Sequence, residues 1–163
     1  MKDNPMLRAL AIIAIILCGG LAGCDATEQP PAEVGGGGFI FNYRLGEAYY
    51  GIIINTPRGL PEGAAIESSF DNPAGGAAIV MSQKGAADQR RYVFRTPAVK
   101  NVKKDIPYRV VVRVVGADGK ELQRIESSFK SDFDQDIIGG GPLVVGPGYT
   151  PNPDNDITKP SPN

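Results

Sequence analysis

The chain between Phe39 and Ile137 is a succession of short runs of β-forming residues, and this pattern most limits what it can fold into. In the first run the aromatic residues at 39, 41 and 43 alternate with Ile40, Asn42 and Arg44, which is the period of two typical of a strand. Prolines fall between the runs, where a missing N–H does not interrupt a ladder. No window carries the apolar stripe of an amphipathic helix, so we predict an all-β domain. The seven predicted strands are Phe39–Leu45, Ala48–Asn55, Ala64–Phe70, Ala77–Gln83, Arg90–Thr96, Tyr108–Val115 and Glu121–Lys130.

Seven short strands in a domain of about 100 residues are typical of a Greek-key β-sandwich. The segment Ile106–Val114 (IPYRVVVRV), followed by a turn and a last strand, resembles the penultimate strand of fibronectin type III and other immunoglobulin-like domains. The resemblance implies a single seven-stranded sandwich in which Tyr108 forms a tyrosine corner, although a plain core aromatic also fits this position. The chain departs from the family pattern because it has no Trp and no pair of Cys inside the domain.

Residues 1–23 have the layout of a secretory signal peptide. Lys2 and Arg8 precede an apolar run, Ala9–Cys18, and small residues follow it. The run is about half as long as the roughly 20 residues that a membrane-spanning helix needs. We therefore predict a cleaved leader rather than a spanning helix.

The end of this leader, Leu21-Ala22-Gly23-Cys24, resembles the lipobox of bacterial lipoproteins. The resemblance implies cleavage before Cys24 and attachment of lipid to its thiol, so that acyl chains anchor the protein in a membrane. In lipoproteins of enteric bacteria an Asp directly after the Cys favours retention in the inner membrane, and Asp25 occupies that position. We expect an exported protein that faces the periplasm of a two-membrane cell, with the outer membrane as the alternative location.

Both flanks of the predicted domain, which we place at residues 39–137, have the composition of unfolded segments. Residues 24–38 hold few apolar side chains and end in four glycines, which predicts a flexible linker after the lipidated Cys. Residues 138–163 are rich in Gly and Pro and predict a disordered tail, with Leu143–Val145 as a possible edge strand.

One five-residue sequence occurs twice, as IESSF at 66–70 and again at 125–129. Both copies fall in predicted strands that flank the sixth strand. Alternation turns Glu67 and Glu126 outward, together with Arg109 and Arg113 of the sixth strand. We therefore predict a surface charge ladder with a carboxylate on either side of the two arginines. A chance match set by strand preferences explains the repeat equally well.

Charge is unevenly distributed along the chain. Basic side chains predominate across residues 84–130, and acidic ones predominate on both flanks. Within the acidic flank, Asp132, Asp134 and Asp136 resemble the start of a calcium loop. Ile137 and Leu143 occupy the positions where such a loop needs Gly and Glu. An acidic surface loop is the favoured interpretation, and these three residues are only weak metal candidates.

The sequence favours a non-catalytic protein. It contains no His, the commonest general acid or base, and both Cys lie in the first 24 residues. We expect no cofactor, a protein partner in the cell envelope, contact with membrane lipid through acylated Cys24, and no nucleic-acid partner. The function predicted is that of an envelope lipoprotein that acts as a structural or interaction module. A carbohydrate-binding module and an enzyme without a recognisable motif are the alternatives.

Overall fold

The computed structural model describes residues 29–139 and 141–154, and its regular structure is almost entirely β. The prediction of an all-β fold is confirmed. Each of the seven predicted runs overlaps one strand of the structure. The strands are β1 (Glu33–Asn42), β2 (Glu47–Asn55), β3 (Ala65–Phe70), β4 (Ile79–Lys84), β5 (Arg91–Arg95), β6 (Tyr108–Val115), β7 (Glu121–Phe129), β8 (Val144–Val145) and β9 (Thr150–Pro151).

The first seven strands form two antiparallel sheets. Sheet A has the order β1-β2-β5, and sheet B has the order β4-β3-β6-β7. The chain passes from sheet A to sheet B after β2, returns after β4, and crosses again after β5. Consecutive strands pair in β1–β2, β3–β4 and β6–β7, whereas β2–β5 and β3–β6 join strands that are distant in sequence.

A single apolar core lies between the two sheets. Alternation along each strand sends every second side chain inward, as in β2, where Ala48, Tyr50, Ile52 and Ile54 are buried. The ring of Tyr50 lies at the centre of this core. It stacks on Phe39 at 4.4 Å and meets Phe70 of sheet B edge-to-face at 5.1 Å. Aromatic pairs at these separations stabilise beyond the area they bury.

The first strand begins earlier than the composition of its segment predicts. Residues 24–38 read as a flexible linker, but β1 starts at Glu33 and includes Gly35–Gly38. A run of glycines has no apolar side chains, so the sequence does not show which of its residues face the core and which face outward. The strand is held instead by its ladder with β2 and by the ring of Phe129, which leaves no room for a side chain at Gly37. The buried residue Ala32 also belongs to the core.

The other boundary of the core also extends beyond the predicted one at residue 137. A short 3₁₀ helix spans Gln135–Ile138, and Ile138 is buried within the core. After it, β8 and β9 pair as a small hairpin, so the edge-strand alternative for Leu143–Val145 is replaced by local pairing. The ring of Tyr149 in this hairpin faces the guanidinium of Arg44 at 4.3 Å.

Glutamine side chains bridge the two seams where the sheets meet. On one side, Gln123 of β7 accepts a hydrogen bond from the Ala32 N–H and donates one to the Ala32 carbonyl, both at 2.8 Å. On the other, the Gln83 amide of β4 donates to the Val93 carbonyl of β5 at 2.8 Å. These bonds satisfy main-chain groups on edge strands that would otherwise be open to another chain.

Candidate functional site

The outward face of sheet B carries a network of ion pairs centred on Arg113. Its Nη1 lies 3.0 Å from Glu67 Oε2 on β3, and its Nε lies 2.6 Å from Glu121 Oε2 on β7. The hydrogen bond to Glu121, together with the charge of both carboxylates, raises the pKa of the guanidinium. Because these side chains are exposed to solvent, each ion pair contributes little to stability.

The other members of the predicted ladder have different partners. Arg109 Nε lies 4.0 Å from Asp71 Oδ1, and Glu126 Oε1 lies 3.0 Å from Arg124 Nε on its own strand. The register explains this difference, because Glu126 stands opposite Val111 and Arg124 stands opposite Arg113. The four predicted residues share one face of sheet B, but they do not form one continuous ladder.

A β-bulge places Glu121 beside Arg113, an ion pair that the sequence did not reveal. The register of β6 and β7 shifts between Val114 and Val115, so that Glu121 pairs with Val115 and Leu122 has no opposite residue. The shift brings the Glu121 carboxylate back to the outward face, where it reaches Arg113. Strict alternation through Leu122 would have turned Glu121 inward.

Tyr108 occupies the start of β6, as the resemblance implied. Its hydroxyl accepts a hydrogen bond from the backbone N–H of Lys103, five residues upstream, at 2.9 Å. A hydroxyl that bonds back to the main chain a few residues upstream is also found in tyrosine corners. The Tyr108 carbonyl in turn accepts a hydrogen bond from the Tyr50 hydroxyl at 2.6 Å, which joins the start of β6 to the buried Tyr50 of β2.

The acidic loop after β7 is tied to the loop before β6. Asp134 Oδ1 accepts the Lys104 N–H at 3.0 Å, and the Lys103 ammonium lies 4.0 Å from Asp134 and 3.8 Å from Asp136. Asp132 is exposed. Within residues 29–139 and 141–154, no group of three potential ligands is placed to hold a metal ion.

The outward face of sheet A differs from that of sheet B because glycines occupy part of it. The register places Gly36 beside Ile53 and Gly38 beside Gly51, all on the outward side. Ile53 pairs across β2 with Val93 of β5, which is 56 % exposed, and Ile40, 57 % exposed, pairs with Tyr49. We give the name glycine trough to Gly38 and Gly51, which lie between the row of Gly36, Ile53 and Val93 and the row of Ile40 and Tyr49.

Two arginines stand beside the glycine trough on β5. Arg91 and Arg95 are exposed and point to the same side as Val93. Arg95 lies over the ring of Tyr49 at 4.6 Å, and the Tyr49 hydroxyl donates to the Glu47 carboxylate. That hydrogen bond is the main reason why the pKa of Tyr49 is raised. The sequence signal for this face is the Arg-x-Val-x-Arg alternation of RYVFR.

The outward faces of sheets A and B differ in how far their arginines are paired with carboxylates. Arg109, Arg113 and Arg124 of sheet B each have a carboxylate partner. Across the described parts of the chain, no ion pair includes Arg91 or Arg95. Excess positive charge from the basic central segment is therefore left uncompensated on β5.

Several aromatic rings are accessible, which matters for the carbohydrate alternative. Tyr43, Phe133 and Tyr149 are exposed, whereas the rings of Tyr50 and Tyr92 are fully buried. One face of Tyr49 is covered by Arg95. Burial of every Tyr and Phe ring would exclude a carbohydrate-binding module, and three of these rings are exposed.

The predicted anchor residues Cys24 and Asp25, with the whole of the leader, lie outside the described residues. So do residues 155–163 of the predicted tail. No helix in the described part of the chain has the length and apolar character needed to cross a membrane.

Comparison with known proteins gives no family. No family model matches the chain, and no curated protein matches it. Among solved structures, an endonuclease/exonuclease/phosphatase from Beutenbergia cavernae DSM 12333 is 23% identical over 49% of this chain and 20% of that chain, with a TM-score of 0.33. The alkylpurine DNA glycosylase AlkC of Pseudomonas fluorescens, bound to DNA containing an abasic site analog, is 18% identical over 63% of this chain and 31% of that chain, with a TM-score of 0.30.

The chain spans less than a third of either structure, and likenesses at these TM-scores carry no argument about fold or activity. One earlier expectation is nevertheless corrected. We expected that nucleic acid would not be a partner, but the second of these structures is a protein bound to DNA. The exclusion of nucleic acid is therefore withdrawn, and a likeness this distant supports no such partner either.

Proposed function

We propose that this chain is a lipid-anchored envelope protein whose β domain acts as a non-catalytic interaction module. The observation that carries the anchor is the sequence Leu21-Ala22-Gly23-Cys24 at the end of a secretory leader. Acylation of Cys24 gives stable membrane attachment, since each buried CH₂ contributes about 0.8 kcal/mol. The domain begins at Ala32, so residues 25–31 form a short connection to the membrane.

We further propose that the domain is an immunoglobulin-like Greek-key sandwich of the fibronectin type III kind. Three features support this assignment. The seven main strands divide into antiparallel sheets of three and four, the chain crosses between the sheets three times, and the Tyr108 hydroxyl bonds back to Lys103. Such domains present their sheet faces and loops to partners, and the fold alone does not identify the partner.

Substitution of the candidate lipidated Cys tests the anchor. The full chain is expressed in a two-membrane bacterium with radiolabelled palmitate, and the membrane fraction is analysed. Wild type and the matched control Cys18→Ser should both incorporate label and sediment with membranes. Cys24→Ser should incorporate none, because only that thiol follows the cleavage site. Label in Cys24→Ser at the wild-type level would overturn the proposal.

Substitution of Asp25, the residue directly after Cys24, tests the proposed location in the inner membrane. We propose that Asp25 retains the protein in the inner membrane, with the domain facing the periplasm. Asp25→Ser should move the protein to the outer-membrane fraction of an enteric host in a sucrose gradient. If wild type itself fractionates with the outer membrane, the inner-membrane location is wrong while the anchor stands.

The carbohydrate alternative has one favourable observation, which is the exposure of Tyr43, Phe133 and Tyr149. Pull-down of the full chain by insoluble peptidoglycan tests it. Binding that is lost in a Tyr43→Ala, Phe133→Ala, Tyr149→Ala variant would favour a glycan-binding module. No retention favours a protein partner, and retention that these substitutions leave unchanged would show that the three rings do not carry the binding.

A further inference from the structure

We propose that the outward face of sheet A binds an extended acidic peptide segment of a protein partner, along β5 and beside the glycine trough. The inference rests on the proposed role of the domain as an interaction module and names the chemistry of its partner. It starts from β5, where Arg91, Val93 and Arg95 point outward in sequence. These three side chains present a cation, an apolar group and a second cation on one line.

The spacing along β5 specifies the ligand. Residues 91 and 95 are four positions apart, which is about 13 Å in a strand. A peptide in the same extended conformation places every second side chain on one side at the same repeat. An acidic residue, an apolar residue two positions later and a second acidic residue two positions after that would therefore face Arg91, Val93 and Arg95 together.

The strand next to this line carries no side chain at Gly51, the residue that pairs with Arg95. One strand further on, a Cβ added at Gly38 would meet nothing within 4 Å, so the surface beyond Gly51 is also open. Glycine inside a strand weakens it and often marks the close approach of another backbone or a ligand. The exposed side chains of Ile40 and Val93 border this space, and large apolar side chains left open beside a groove are typical of contact surfaces.

Charge complementarity selects an acidic occupant. Neither Arg91 nor Arg95 has a carboxylate partner among the described ion pairs. Two acidic residues also lie on this face. Glu33 is on β1, two strands from Arg91, and the Glu47 carboxylate already accepts the Tyr49 hydroxyl. The β5 side is therefore free to pair with carboxylates from another molecule.

The apolar groups favour a peptide over an acidic glycan. Sugars stack on open aromatic faces, but the aliphatic groups of Ile40, Ile53 and Val93 dominate this surface. Its one ring, Tyr49, has the Arg95 guanidinium over it. A polyuronate could satisfy the arginines alone, so it is the competitor that the experiment must separate.

The test is an NMR titration of the ¹⁵N-labelled full chain in detergent micelles at low salt. The probe is the peptide acetyl-SETVTES-amide, and its matched control is acetyl-SQTVTQS-amide. We expect saturable shifts of the amides of Gly51, Ile53, Val93 and Arg95 with the acidic peptide, since these residues lie on β5 or beside it. The neutral peptide and the Arg91→Gln, Arg95→Gln double variant should each bind about tenfold more weakly, because two ion pairs are lost. Arg109→Gln, on the opposite sheet, should bind as wild type does.

Three outcomes would overturn the inference: no shifts on sheet A at millimolar peptide, equal binding of the neutral peptide, or saturable binding of polygalacturonate alone. None of these outcomes touches the lipid anchor, which the palmitate experiment tests separately. Raising the salt concentration should weaken binding of the acidic peptide to wild type more than to the double variant, because exposed ion pairs are screened.

Discussion

The ring of Phe129 on β7 lies against the Cα of Gly37 on β1. A Cβ built at Gly37 would stand 2.8 Å from Phe129 Cε1 and 2.7 Å from the Gly51 carbonyl oxygen. Neither atom belongs to a flexible chain end, because one is part of a packed ring and the other is main chain. This contact places β1 against the edge of sheet B and explains why a glycine run can form a strand here.

We predict that Gly37→Ala lowers the free energy of unfolding by about 1–3 kcal/mol, the usual range for overpacking a filled site. Chemical denaturation of the full chain in detergent measures it. Gly148→Ala is the matched control, because a Cβ there meets nothing within 4 Å and should change stability little. Equal stability of Gly37→Ala and wild type would mean that β1 is not held by Phe129.

A second prediction concerns a buried hydroxyl without a partner. Ser68 is fully buried on the inward side of β3, and its Oγ has no hydrogen-bond partner among the described residues. Burying an unpaired hydroxyl costs about 1–3 kcal/mol. Ser68→Ala should therefore leave the free energy of unfolding unchanged or raise it by about 1 kcal/mol.

The control for Ser68 is Thr96→Val, which removes a hydroxyl that has a partner. Thr96 Oγ1 accepts the buried Tyr50 N–H at 3.1 Å. The valine variant leaves that N–H unpaired and should lower stability by about 1–3 kcal/mol. Destabilisation of Ser68→Ala comparable to that of Thr96→Val would show that Ser68 has a partner, such as a buried water.

The strands with apolar side chains were predictable from the sequence, and those held by tertiary contacts were not. Alternation with the outward Arg109 and Arg113 located the core positions of β6, among them Val112, because burial on one face leaves a period of two. The Gly35–Gly38 segment carries no such signal, and its strand depends on Phe129 from the other end of the chain. Local composition therefore assigned it to the linker.

The same distinction holds for the two candidate surfaces. The Glu67–Arg113 pair follows from alternation in neighbouring strands, and the structure places these residues opposite each other. The Arg113–Glu121 pair depends on a bulge at Leu122, a shift of one residue that no periodicity reveals. The difference in charge between the outward faces of sheets A and B becomes visible only when the carboxylate partner of each arginine is known.

A third prediction concerns alkaline pH. The Tyr50 hydroxyl is buried and donates to the Tyr108 carbonyl. Burial is the main cause that raises the pKa of Tyr50 well above its usual value of 10, and Asp71 and Tyr108 add to it. Because the folded state holds this proton more tightly than the unfolded state, the contribution of Tyr50 to stability is complete below about pH 10 and decreases as the pH rises further.

Tyr50→Phe tests this linkage. At pH 7 it should lower the free energy of unfolding by about 1–2 kcal/mol, because the Tyr108 carbonyl loses its donor. Between pH 10 and 11 its stability should fall less steeply than that of wild type in urea titrations. Tyr43→Phe, on the exposed turn after β1, is the control and should match wild type at pH 7. Parallel curves for Tyr50→Phe and wild type at high pH would contradict the assignment.

The last prediction concerns the seam between β7 and β1. The Gln123 side chain bonds both main-chain groups of Ala32, which is buried. Gln123→Ala leaves that N–H and carbonyl without these partners, and we expect a loss of about 1–3 kcal/mol. Gln89→Ala is the control, since the Gln89 amide donates to the exposed Arg91 carbonyl, which water can satisfy.

Hydrogen exchange locates the effect: the amides of Glu33–Gly38 should exchange faster in Gln123→Ala, while those of β6 keep their protection relative to global unfolding. Uniform loss of protection across both sheets would show that Gln123 supports the whole fold rather than this seam, and unchanged exchange would show that the Phe129 contact alone holds β1 in place.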